Sequence, residues 1–296
     1  MATATAAATR SLLTHAMQAP RPTLPDVERL SSRVIRILGG NPGKFTLQGT
    51  NTYLIGRGPS RILIDTGEGK PAWATTLASV LASENASLEA VIVTHWHPDH
   101  VGGIADARWI SPGTTVYKNQ PREGEEDIAD GQRFTVDGAT LRAFHSPGHT
   151  TDHMALVLEE EDAMFTGDNV LGHGTSVFED LATYVDSLRR MGQAVGGRGY
   201  PGHGPVIEDC RAKIGEYIRH REMREKEVLE VLGRGAEGEA LTSMDLVHII
   251  YQDVPENLHF AAARGVVQVL GKLTAEGKLY HDEDAMTWCL NRKSTL

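Results

Sequence analysis

The chain reads as an α+β protein in which sheets pack on each other beneath a cover of helices, with a small separate module at the C-terminus. Three observations predict this. Apolar runs of strand length recur from residue 33 to residue 166, punctuated by glycine. Helical periodicity falls between such runs, as over Pro71–Ser83, rather than in a block of its own. From about Arg211 the pattern changes to charged helices and a final short ribbon.

Residues 1–28 are expected to be a disordered tail. The first 25 are rich in Ala, Thr and Pro and carry Arg10 and Arg21, with no acid before Asp26, which gives a weak likeness to a transit peptide. Residues 29–210 form the main domain. Its first strand is Arg33–Leu38, closed by Gly39-Gly40; Thr50–Ile55 and Arg61–Ile64 follow, joined by a hairpin turn at Gly56-Arg57-Gly58-Pro59. A helix is predicted from Pro71 to about Ser83, because Pro suits a first turn and Trp73, Leu77, Val80 and Leu81 share one face. Further strands are predicted at Ala90–Thr94, Thr114–Lys118, Gln132–Val136, Ala139–His145, His153–Leu158 and Ala163–Thr166.

Residues 211–235 read as one long charged linking helix ending at Gly233-Arg234-Gly235. Over residues 236–296, Thr242 or Ser243 caps a helix through Ile250, Ala261–Glu276 forms another, and Lys278–Leu290 makes a ribbon turning at Asp282-Glu283-Asp284. That order resembles a winged-helix module. With nine Asp/Glu against five Lys/Arg it is a poor phosphate binder, and it reads as a structural element or lid.

Composition bounds the function. The net charge of −10 gives no general attraction to nucleic acid or anionic membrane. Cys210 and Cys289 are the only cysteines, which argues for a reducing compartment and against a disulfide framework. No apolar run approaches a membrane span, so a cytoplasmic protein is expected, or a mitochondrial one if the tail is a targeting sequence.

The chemistry is concentrated in His95-Trp96-His97-Pro98-Asp99-His100, directly after the apolar run Ala90–Thr94. Alternation along an extended chain puts His95, His97 and Asp99 on one side, and the turn at Pro98 brings His100 round beside them. Imidazole nitrogens with carboxylate oxygens are the donors of zinc, iron or manganese sites. More such residues follow in glycine-flanked loops: His149 in Ser146-Pro147-Gly148-His149-Thr150, Asp168 in Phe165-Thr166-Gly167-Asp168, and His203 in Tyr200-Pro201-Gly202-His203-Gly204.

Taken in order, this set resembles the metallo-β-lactamase superfamily, whose pattern is His-x-His-x-Asp-His, then His, then Asp, then His. The likeness runs from about Arg33 to Val206. It implies a four-layer αββα sandwich with the site at one edge and two divalent cations, zinc first, with manganese or iron accepting the same donors. Carried over, His95, His97 and His149 would hold one cation, Asp99, His100 and His203 the other, and Asp168 both. Asp99 would also orient the attacking water, making it the catalytic residue. Asp65, in Leu63-Ile64-Asp65-Thr66-Gly67, matches the family's early Asp, which orients the ligand loop. His153 and His173, close after His149 and Asp168, are candidates to support the ligands or touch substrate. Two cations sharing a water promote hydrolysis of ester, thioester, amide or phosphodiester centres.

Two stretches narrow the substrate. Asn41–Tyr53, and Phe165–Gly174 followed by Val177–Leu181, resemble lactamase-like thioesterases that accompany fungal non-reducing polyketide synthases. That likeness implies release of an aromatic polyketide from the acyl-carrier domain of a synthase, as its partner. The same stretches are similar, less closely, to an animal mitochondrial lactamase-like endoribonuclease for single strands. Chain acidity and a 6% aromatic content lean away from nucleic acid. The basic run Arg219-His220-Arg221 with Arg224 and Lys226 reads as a solvated face, or as a surface for an acidic carrier. A glyoxalase-II-like thioesterase fits the metal pattern but not these stretches, and a non-catalytic scaffold is disfavoured by the complete ligand set.

Overall fold

A computed structural model of the protein describes residues 23–235, 239–252, 254–256 and 259–291. Residues 1–22 of the expected tail lie outside the described residues. The chain divides into two compact units, Met1–Glu179 with Asp186–Gly215, and Asp180–Val185 with Glu216–Leu296.

The first unit is built on two sheets. One has six strands in sequential order: β1 (Val27–Arg29), β2 (Val34–Leu38), β3 (Asn51–Ile55), β4 (Ser60–Ile64), β5 (Ser87–Val93) and β6 (Thr115–Lys118). It is antiparallel from β1 to β4 and parallel across β4, β5 and β6. Helix α1 (Pro71–Ser83) makes the crossover from β4 to β5; α2 (Pro98–Val101) and α3 (Ile104–Ile110) lie between β5 and β6. The other sheet contains β7 (Arg133–Val136), β8 (Ala139–His145), β9 (Met154–Leu158), β10 (Ala163–Gly167) and, beyond α4 (Leu181–Ala194), β11 (Gly199–Pro201), in the spatial order β11-β10-β9-β8-β7.

Alternation along the strands makes the layers. Val34, Tyr53, Ile55, Ile62, Ile64 and Ile92 of the first sheet meet Leu141, Met154, Leu156, Leu158 and Phe165 of the second in one buried core. Residues of the opposite face, Ile35, Ile37, Leu54, Leu63, Val91 and Val93, turn the other way onto Trp73, Leu77 and Leu81 of α1 and Ala107 of α3. Behind the second sheet, Arg190 of α4 stacks over the Phe144 ring and donates to the His145 carbonyl. The αββα order is the sandwich that the sequence implied.

One expectation needs correction. The tail through residue 28 was expected to be disordered, yet Val27–Arg29 is an edge strand paired with β2. The reason is a charge. Arg36 of β2 is almost wholly buried, and Glu28 supplies its carboxylate. Helix α4 was not predicted, although Leu181, Tyr184, Val185, Leu188 and Met191 recur at helical spacing and all are buried.

In the second unit, α5 (Cys210–Arg234) continues beyond Gly215, followed by α6 (Ser243–Ile250), α7 (His259–Ala275), β12 (Leu279–Asp282) and β13 (Thr287–Leu290). Thr242 caps α6 in a reciprocal box with Asp245, as its position before the apolar run requires. Leu241 pairs with Trp288 through two backbone bonds, an isolated bridge that ties the start of this segment to the two-stranded ribbon. No described helix is long and apolar enough to cross a membrane.

Lys118, at the end of β6, forms a buried ion pair with Asp152 in the loop that follows His149. Replacing Lys118 by Met leaves the carboxylate uncompensated and should lower stability by about 3–5 kcal/mol. Urea unfolding measures it, and a loss below about 1 kcal/mol would show that the pair does not hold the loop.

Candidate metal centre

Every predicted ligand leaves the sandwich at the same edge, because the strand registers align there. Ile64 pairs with Ile92 in the first sheet and Gly167 with Pro201 in the second, so the segments after β4, β5, β10 and β11 emerge side by side. His149 lies in the turn between β8 and β9 at that edge.

Donor atoms of His95, His97, His149 and Asp168 lie within 4.8 Å of one another, and those of Asp99, His100 and His203 do likewise. Asp168 stands between the groups. Its Oδ2 is 3.7 Å from His149 Nε2 and 3.2 Å from His203 Nε2, and its Oδ1 is 3.5 Å from His100 Nε2. The alternation argument holds for His95 and His97 but not for Asp99. Pro98 starts a helical turn, so Asp99 and His100 are presented from α2.

Hydrogen bonds fix which nitrogen of each ring faces inward. His149 Nδ1 donates to the Val177 carbonyl at 2.7 Å, and His95 Nδ1 to the Thr94 hydroxyl at 3.0 Å. Their Nε2 lone pairs then converge on His97 Nδ1, at 3.1 and 2.9 Å. Asp65 holds the other ring. Its carboxylate accepts from His100 Nδ1 at 2.8 Å and from the Thr94 N–H and hydroxyl. The Thr94 hydroxyl hydrogen is spent on Asp65, so the Thr94 oxygen must accept from His95.

His153 is buried behind the site and does not line it. Its Nε2 accepts the Asp168 N–H at 3.1 Å and its Nδ1 reaches Ser146 Oγ at 2.9 Å. His153 therefore positions Asp168 rather than touching substrate. His173 lines a cavity of about 240 Å³ together with His149 and Asp168. The sequence reading missed Thr94, Ser146, Asn41, Thr50 and Asn51 as supports of the site. Thr94 and Ser146 adjoin ligand segments in the chain, whereas Asn41, Thr50 and Asn51 lie far from any ligand and carry no such hint.

The donor set fits cations. Three imidazole nitrogens converge with too few hydrogens to satisfy one another, and His100 Nε2 and Asp168 Oδ1 are buried without a hydrogen-bond partner. Burial, and next the adjacent His100, hold His95 well below its ordinary range, so it is a neutral donor. Burial opposes a charge on His203, but Asp168 and Asp99 push it up to about 9. His100 is raised in the same way against burial by Asp65 and Asp168. The carboxylates thus demand positive charge here, from protons or from metal. Elsewhere, Arg221 stacks on Tyr184, and Arg224 lies over Tyr251 and pairs with Glu227, so two members of the basic run are engaged within the second unit.

Two family profiles match the chain, one described as the metallo-beta-lactamase superfamily, over residues 45–109, and one as a beta-lactamase associated winged helix domain, over residues 242–288. Lactamase-like protein nscB of Aspergillus fumigatus is 50% identical over 273 residues, covering 87% of this chain and 83% of that protein. Lactamase-like protein adaB of Aspergillus niger is 47% identical over 274 residues, covering 88% and 86%. Among solved structures, a beta-lactamase domain protein from Burkholderia ambifaria superimposes with a TM-score of 0.75 at 19% identity, covering 90% of this chain and 95% of that one. A metallo-beta-lactamase family protein from Thermus thermophilus gives 0.67 at 21%, covering 90% and 99%.

Gly202 leaves the space that Asp168 occupies: an added Cβ would stand 2.3 Å from Asp168 Oδ1 and 3.1 Å from His100 Cε1. Gly202→Ala should therefore weaken metal binding about 10- to 100-fold, as loss of ligand support does. Elemental analysis after dialysis against dilute metal checks this, and unchanged content would show that Asp168 can move without cost.

Proposed function

Since this chain belongs to the metallo-β-lactamase superfamily, we propose that it is a metal-dependent thioester hydrolase that frees an aromatic polyketide acid from an acyl-carrier domain. The observation that carries this reading is the cavity beside the metal centre. Phe45, Leu47, Leu171 and Val177 wall it, His149 and Asp168 open into it, and among the described residues Lys44 is the only lysine or arginine lining it. Phe45 and Val177 are 73% and 62% exposed and leave apolar surface at the cavity for a ligand to cover. A phosphate-binding groove would need several cations and stacking aromatics at this place. The likeness of Asn41–Tyr53 and Phe165–Gly174 to polyketide-releasing thioesterases supports the same substrate class.

His95, His97 and His149 would hold one divalent cation, Asp99, His100 and His203 a second, and Asp168 would serve both. When bound, the cations supply Lewis acidity, which polarises the thioester carbonyl and acidifies water. Zinc suits the donor set, and manganese or iron is also compatible. The protein's own contribution is orientation and proton transfer. Asp99 is the more exposed of these two carboxylates, at 21% against 12% for Asp168, and can meet water. Burial works against its charge, yet the imidazoles of His100 and His203, 3.4 and 3.3 Å from its Oδ2, hold it well below the usual carboxylate range, so it is ionised and able to accept. Asp99 would take a proton from the attacking water as its oxygen bonds to the acyl carbon. The C–S bond breaks, and the proton passes to the departing thiolate.

The test is release of free acid from an aromatic polyketide loaded on a synthase carrier domain, with zinc- or manganese-reconstituted protein. Rapid release is expected, falling at least about 100-fold in Asp99→Ala. Asp168→Ala should lose both cations. No release by fully metallated protein would overturn the thioesterase reading, and cleavage of single-stranded RNA would then be the activity to assay. Full metal retention by the Asp168 variant would remove its shared role.

A further inference from the structure

The donors of the second group rest on a polar frame contributed by the segment between β2 and β3. Thr50 is fully buried, and its backbone N–H donates to Asn41 Oδ1 at 2.9 Å. That bond fixes the orientation of the Asn41 amide, because it leaves Nδ2 facing Thr50 Oγ1 at 3.0 Å. An amide NH2 can only donate, so the Thr50 oxygen accepts there. Its single hydrogen is left for Asp99 Oδ2, 3.1 Å away.

The frame is built for this purpose. Asn41 is itself pinned by the Thr46 hydroxyl, which donates to its carbonyl at 2.6 Å. A Cβ at Gly39 would stand 2.7 Å from Asn41 Oδ1, so glycine there makes room for the amide. The next residue extends the same support. Asn51 Nδ2 donates to the Pro201 and Gly204 carbonyls at 2.8 and 2.9 Å, and its N–H to the Gly202 carbonyl at 2.7 Å. The dipeptide Thr50-Asn51 therefore holds Asp99 and the loop of His203, two of the three donors in the second group. It makes no such bond to His95, His97 or His149.

We propose that Thr50 is a positioning residue for Asp99, that Asn41 makes its hydroxyl an obligate donor, and that the pair sets the affinity of the second cation position without affecting the first. The inference rests on the two-cation reading given above. Buried partners of metal ligands change affinity or rate by about 10- to 100-fold when removed, which sets the size of the expected effect.

The experiment is a zinc titration of metal-depleted protein against a chromophoric chelator, with thermal unfolding of the metal-free form as a control. Wild type should take two zinc ions. Thr50→Val should bind the first as wild type does and the second about 10- to 100-fold more weakly, and Thr50→Ser should restore it. Asn41→Asp keeps the size of the side chain but replaces the donor with an acceptor. The Thr50 hydroxyl hydrogen then turns away from Asp99, and the second zinc should weaken as it does in Thr50→Val. This variant carries the test if Thr50→Val does not fold. Equal weakening of both zinc ions, failure of Ser to rescue, or two unchanged affinities would each overturn the positioning role. A wild type that binds one zinc would instead overturn the two-cation reading and the inference with it.

Discussion

Asp65 ties the two halves of the site to each other, and the remaining geometry depends on it. It stands at the end of β4 with a left-handed backbone, φ 58°, a conformation unfavourable for a residue with a side chain. Its N–H is held by the Ile92 carbonyl of the neighbouring parallel strand. In return, one buried carboxylate orients His100 directly and His95 through the Thr94 hydroxyl, so one ring of each group takes its orientation from a single side chain. Thr66 adds to this by donating both N–H and hydroxyl to the His100 carbonyl, which clamps the short α2 turn onto the strand end. A carboxylate with this many donors is held in place, and the candidate ligands it supports would need little reorganisation to bind metal.

The sandwich supplies the rigidity on which that carboxylate relies. Two sheets pressed face to face give an edge that cannot flex independently, and loops carrying polar donors can be set on it with little freedom. Tyr53 shows the coupling. Its ring packs edge-on against Phe165 in the core at 5.1 Å, while its hydroxyl donates to the Pro201 carbonyl at 2.6 Å beside the His203 loop. Core packing and ligand placement are thus one constraint. The same edge gathers Asp99, Asp168 and Asp65 among histidines, a concentration of negative charge that only protons or cations can offset.

Much of this was legible in the chain. Helix α1 has the predicted limits, and the strands from β2 to β10 begin within a few residues of their predicted starts, since alternation and glycine punctuation are local signals. The clustering donors were legible because His95–His100 holds four of them together, and the order of the glycine-flanked loops with the family resemblance pointed to His149, Asp168 and His203. Other features were not. β1 depends on an ion pair between Glu28 and Arg36 that periodicity cannot reveal. Asp99 was placed by strand alternation, whereas Pro98 opens a helical turn. Asn41, Thr50, Asn51 and Thr94 are ordinary residues for a turn or a strand end, and nothing in their spacing marks them as supports.

The sequence by itself determined which residues could bind metal and most of the segments that are strands and helices, because side-chain chemistry and hydrophobic period are properties of short windows. Tertiary structure alone decided which of them meet. His97 and His149 come within 3.1 Å, and Asn51 reaches Gly204, only because strand order and register bring distant segments to one edge. The direction of each hydrogen bond, and with it the ring nitrogen each histidine presents, follows from those neighbours and from no local rule.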